Sequence, residues 1–118
     1  MKALIASLIL LLSSTANAMN LIEYRDKLNS ESTDINDYIT GLANGYEWNQ
    51  SYLISKGLIG KKTFCVQNLD VLDSNNMMKI LNQYLSELVK EKGKDTVDYY
   101  SIELVLLWAL EREYPCQN

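Results

Sequence analysis

The sequence predicts an all-α fold, a small bundle of about four helices. Three observations carry that prediction. Apolar residues recur at three- and four-residue steps through most of the chain. No run alternates convincingly with period two, and no repeat of roughly 20–50 residues is present. The 118 residues include only 1 Pro and 5 Gly with 47% hydrophobic residues, a balance that excludes collagen-like structure and argues against disorder.

The amino-terminal element is a leader. Met1-Lys2 supplies a positive start, residues 3–12 are almost unbroken apolar, and Ala16-Asn17-Ala18 has the small-x-small pattern that a signal peptidase accepts. The apolar run is too short for a spanning helix, which needs about 20 residues. Residues 1–18 therefore read as a cleaved signal peptide and residues 19–118 as a single domain. The expected location is outside the cytoplasm, in the periplasm of a cell with two membranes. Met19 rather than Cys follows the cut, so no lipid anchor is expected. No later stretch is long and apolar enough to anchor the chain in a membrane.

Residues 20–28 hold Leu21, Ile22, Tyr24 and Leu28, enough for a short helix. After the polar residues 29–33, Thr33 or Asp34 can cap a long helix carrying Ile35, Tyr38, Ile39, Leu42, Tyr46 and Leu53. Gly41 and Gly45 lie one turn apart on it, and close approach by another backbone would offset their cost of about 1 kcal/mol each; the alternative is local softness. Residues 56–63 form a loop with a small basic cluster at Lys61 and Lys62, and residues 66–72 an irregular connection. Asp73 or Ser74 caps the next helix, whose apolar face is Met77, Ile80, Leu81, Tyr84, Leu85 and Leu88, and Gly93 stops it. Asp95 or Thr96 is the expected cap of the last helix. Residues 102–110 are apolar on nearly every side, so that helix is either central or shared with a second subunit. A homodimer using Leu104, Leu107 and Trp108 is the expectation. Pro115 ends the helix.

An exported chain gives its two cysteines meaning. Cys65 and Cys116 have one possible internal pairing, and a structural disulfide is expected in preference to two buried free thiols. Their separation is unlike a Cys-x-x-Cys redox pair, and no neighbouring cysteines complete a zinc site.

The composition removes most chemistry. Histidine is absent, which excludes Ser-His and Cys-His pairs within the chain and any His-ligated metal. The net charge is −4, and loss of Lys2 with the leader makes it more negative, so a nucleic-acid role is disfavoured. Glu87 with Glu91, Asp95 with Asp98, and Glu111 with Glu113 read as solvated helix surface rather than a hydrolase pair. There is no phosphate loop and no calcium loop, and no cofactor is expected. Among the 8 Tyr and 2 Trp, Tyr38, Tyr46, Tyr84 and Trp108 lie on apolar stripes and read as core. Tyr99 and Tyr100, beside a loop, are placed for contact with a partner.

The ordered combination of a leader, Tyr38-Ile39-x-Gly41-x-x-x-Gly45, Phe64-Cys65, Gln83-Tyr84-Leu85 and Ala109-Leu110-x-x-x-Tyr114-Pro115-Cys116 resembles the Rap/Tai family of type VI secretion immunity proteins. The match covers roughly residues 35–116, and no single motif in it is specific. The resemblance implies a small, usually dimeric, all-helical periplasmic protein that binds and blocks a peptidoglycan amidase effector. Of the two exposed loops, residues 56–63 and 91–98, it points to the one before the last helix. Glu91, Lys92, Lys94, Asp95 and Asp98, with Tyr99 and Tyr100 beside them, are the effector-binding candidates. A small periplasmic acid-stress chaperone is the alternative. An exported enzyme comes third, disfavoured by the missing histidine.

Overall fold

The computed structural model describes residues 18–30 and 34–117. The expected leader lies outside the described residues except for Ala18, as does Thr33. Five α-helices follow in order: α1 Leu21–Asn29, α2 Asp34–Ser55, α3 Ser74–Lys92, α4 Lys94–Val97 and α5 Ile102–Glu113, with a 3-10 turn at Leu69–Leu72. Among the described residues there is no strand; one isolated antiparallel bridge joins Asn20 to Ser101. The fold is an all-α small bundle with one disulfide, Cys65–Cys116. No helix of the described residues is long and apolar enough to cross a membrane.

Caps set the helix starts. Asn20 begins α1 by accepting the Glu23 backbone N–H at 2.9 Å, and Asp73 begins α3 by accepting that of Asn76 at 2.7 Å. α3 buries Met77, Ile80, Leu81, Leu85 and Leu88 on one stripe against α2 and α5. It stops at Gly93, whose φ of 86° is a left-handed conformation that a side chain would strain.

The last helix departs from expectation at its start. Residues 91–98 are not a loop: Glu91 and Lys92 finish α3, Gly93 turns the chain, and residues 94–97 make a single helical turn. Neither Asp95 nor Thr96 caps α5. Ser101 does, its hydroxyl oxygen accepting the Leu104 N–H at 3.2 Å. One chain hides most of α5 without help, since Ile102, Val105, Leu106, Ala109 and Leu110 are all buried. Leu107 and Trp108 are half-buried against the core, and only Leu104 is openly exposed. The apolar run is that of a central helix.

The long helix α2 is rotated from its expected face. Its inward stripe is Ile35, Ile39, Ala43, Glu47 and Gln50, which puts Tyr38 at the surface rather than in the core. Gly41 and Gly45 are exposed, and a Cβ at either would meet nothing within 4 Å. No backbone of the described residues approaches them. Ala at each position should therefore stabilise the domain by about 0.5–1 kcal/mol. The double variant should melt several degrees higher than the wild type. A lower midpoint in a thermal melt would show that the helix uses its softness.

Polar groups hold the 56–64 segment to α2. Gln50 donates to Glu47 at 2.7 Å and to the Phe64 carbonyl at 2.8 Å, and accepts the Thr63 N–H at 3.1 Å. Glu47 also accepts from Lys62 at 2.7 Å and from Ser51 at 3.2 Å. Burial pushes the Glu47 carboxyl up, but the Lys62, Gln50 and Ser51 contacts outweigh it and hold the pKa below the ordinary value. Lys62 is thereby committed to the fold.

Candidate functional site

The surface between α3 and α5 is a shallow groove of about 690 Å³. Tyr84, Leu88 and Lys92 line it from α3, Trp108, Glu111 and Arg112 from α5, and Tyr100 from the turn before α5. Helical spacing puts Tyr84, Leu88 and Lys92 on one stripe, and Trp108 and Arg112 on the facing one. Tyr100 meets Trp108 edge to face, with ring centroids 5.7 Å apart. The Arg112 guanidinium lies over the Tyr84 ring at 4.7 Å and also pairs with Glu87. Burial is the main reason the Tyr84 phenol is shifted upward; Arg112 opposes the shift and Glu91, Glu111 and Glu87 add to it.

Of the sequence-derived candidates, the groove gathers Lys92, Tyr100 and Trp108. Glu91 is exposed at the end of α3, and Lys94 and Asp95 are exposed on α4. Tyr99 is 81% exposed, the most open large hydrophobic side chain described. It directly precedes Tyr100, which lines the groove, but does not line it itself. Leu104 is 43% exposed and Leu107 half-buried, so of the expected dimer contacts only Leu104 is open.

Asp98 has a different job. It is buried, not a solvated surface carboxylate, and pairs with Arg25 of α1 and with Lys94 at 3.1 Å. Burial alone would push its pKa up; the Lys94 and Arg25 hydrogen bonds and charges prevail and hold it below the usual carboxylate range. It is therefore a strut joining α1 to the turn that carries Tyr99. A folded pKa below the unfolded one makes the pair's stabilisation present above about pH 3.9, to be lost as pH falls through the lower folded value. Thermal melts of wild type and Asp98→Asn should therefore differ at about pH 6 and converge as the pH falls through the lowered folded value. A gap that persists in acid would mean the carboxylate charge is not what the strut uses.

A second apolar surface was not visible as such in the sequence. Trp48 and Tyr52 lie one turn apart on α2 and are 66% and 56% exposed, and Leu58 in the 56–63 loop is 67% exposed. No group of three or more Asp, Glu or Cys among the described residues is placed to hold a metal ion. Set beside known protein families, curated proteins and solved structures, the chain matches none.

Proposed function

We propose that this chain is an exported immunity protein that binds a type VI secretion peptidoglycan amidase and blocks it by covering its active-site cleft, protecting the producing cell and its siblings. The observation that supports this reading best is Tyr99, openly exposed beside an aromatic groove that presents Tyr84, Tyr100 and Trp108. Exposed Tyr and half-buried Trp are the side chains that anchor protein interfaces, because they offer large contact area at little entropic cost. The protein acts by binding alone. It has no histidine to serve as a general base, and this reading assigns it no catalytic residue, metal or cofactor.

The mature protein works in the periplasm after removal of residues 1–18. Its acidity speeds encounter with a basic toxin, an effect that added salt weakens. One copy is sufficient for this reading, since α5 is covered by its own chain. The test is to purify the protein with an amidase encoded beside its gene and to follow peptidoglycan cleavage during titration. The expected result is stoichiometric inhibition and a stable complex. Full amidase activity at excess protein would remove the reading, and acid-induced protection of unrelated proteins from aggregation would favour the chaperone.

A further inference from the structure

Met19 sits against the first turn of α5 through three backbone-centred contacts. Its N–H donates to Glu103 Oε1 at 3.0 Å, its carbonyl accepts the Ile102 N–H at 2.7 Å, and Asn20 beside it pairs with Ser101. Glu103 Oε1 also accepts the Tyr38 hydroxyl, and the Glu103 carbonyl accepts that of Tyr46 at 2.8 Å. Glu103 Oε2 is buried and has no hydrogen-bond partner among the described residues. A buried carboxylate oxygen without a donor is costly, and native folds rarely leave one so.

The missing donor has a source in the chain itself. A peptide N–H offers one proton, and at Met19 that proton is spent on Oε1. Cleavage of the Ala18–Met19 bond by water sends hydroxyl to the Ala18 carbonyl carbon and a proton to the Met19 nitrogen. At neutral pH the new carboxylic acid releases a proton and the new amine binds one. The resulting α-ammonium has three protons and a positive charge, on a nitrogen that already reaches Oε1 of this carboxylate at 3.0 Å.

We propose that Glu103 is the receptor for the α-ammonium that leader removal creates at Met19, and that this ion pair locks the segment carrying Tyr99 only after export. The proposal rests on the reading of residues 1–18 as a cleaved leader. Residues 99–101 run directly into the Ser101 cap and the Met19 contacts, so a charge fixed at Glu103 holds the start of α5 and the end of the site together. A precursor that keeps its leader lacks the charge.

The groups facing the pair are Tyr38 and Tyr46 from α2, with Lys27 of α1 and Asp34 of α2 lining the adjoining cleft of about 270 Å³. Burial first, and then Glu103, push the Tyr38 phenol up to about 12, so it stays a neutral donor while an α-amine titrates. An α-amine ordinarily has a pKa of about 7.7–8.0, and a neighbouring carboxylate raises it. The lock is therefore fully present below about pH 7.7 and is lost as pH rises through the raised folded value.

The experiment uses exported protein. Intact mass fixes the mature terminus, and the rate of Met19 α-amine acylation is then followed against pH by peptide mass spectrometry. The wild type should show an amine pKa raised by about one unit, hence about tenfold slower labelling near pH 6.5 than Glu103→Gln. A second protein with one Gly added before Met19 keeps Glu103 but moves the charge. Its melting midpoint should fall below wild type at about pH 6 and approach it above the raised pKa. A terminus at Met19 with an ordinary amine pKa, or equal midpoints of the wild-type and extended proteins at pH 6, overturns the proposal alone. A mature terminus at any other residue overturns the leader reading and the proposal with it.

Discussion

Replacing Cys65 and Cys116 together by Ser should remove about 4 kcal/mol of stability, the expected loss for opening a loop of about 50 residues. For a domain of this size that corresponds to a fall of about 15–30 °C in melting midpoint. The disulfide spans 51 residues and joins the segment after the 56–64 loop to the chain just beyond α5. Without it the two ends keep the Cys65 N–H bond to the Tyr114 carbonyl at 2.8 Å, the polar network around Gln50 and Glu47, the buried Phe64 ring and the Asn76–Tyr114 hydrogen bond at 2.7 Å. Individual hydrogen bonds contribute about 1 kcal/mol net, so the covalent link outweighs any single one of them. Wild type melted in excess reductant should behave like the double variant. A midpoint change below about 5 °C in both would mean that the network, and not the bond, holds the two ends.

Parts of this fold were legible in the sequence because their signals are local. The α3 stripe from Met77 to Leu88 repeats at helical spacing between a capping Asp73 and a terminating Gly93, and it is buried as expected except at Tyr84, which lines the groove. The disulfide could be expected from two cysteines and the reading of residues 1–18 as a leader. The expected face of α2 is offset from the observed one, against which Leu42 and Tyr46 still pack, because the inward stripe passes from Ile35 and Ile39 through a small residue, Ala43, to two polar ones, Glu47 and Gln50. A stripe that continues at helical spacing through polar residues was the available signal. Ser101 directly before Ile102 was equally visible as a cap, but Asp95 and Thr96 sit close after Gly93 and competed for the role.

The Asp98 strut was not legible at all. Its partner Arg25 is 73 residues away, and no periodicity links two positions that meet only when α1 docks. The orphaned Glu103 Oε2 is likewise a product of tertiary packing. The groove lies between these cases. Tyr84, Tyr100 and Trp108 could each be named from the sequence, but whether they form a core or line a surface depends on how far α3 and α5 diverge. The candidate site was thus half visible: its aromatic residues stood out, while the sorting of its charges into free and committed did not.

That sorting determines what disrupting the site should do. Tyr99→Ala should weaken the proposed inhibition of an amidase about 30-fold, the change in affinity produced by losing about 2 kcal/mol at an interface anchor. The side chain is 81% exposed and makes no described contact that holds the fold, so circular dichroism and melting midpoint should stay at wild-type values. Lys92→Glu, at the rim of the groove, should alter the association rate only a few-fold and change its salt dependence, because rim charges steer encounter more than they hold the complex. Asp98→Ala should also reduce protection, but with a lowered melting midpoint, since it frees α1 from the turn. Trp48→Ala on α2 is the control, equally aromatic and exposed at 66%, and should leave inhibition intact. If Trp48→Ala or Tyr52→Ala abolishes inhibition while Tyr99→Ala does not, the effector docks on α2 and the groove between α3 and α5 is only the seam of the bundle.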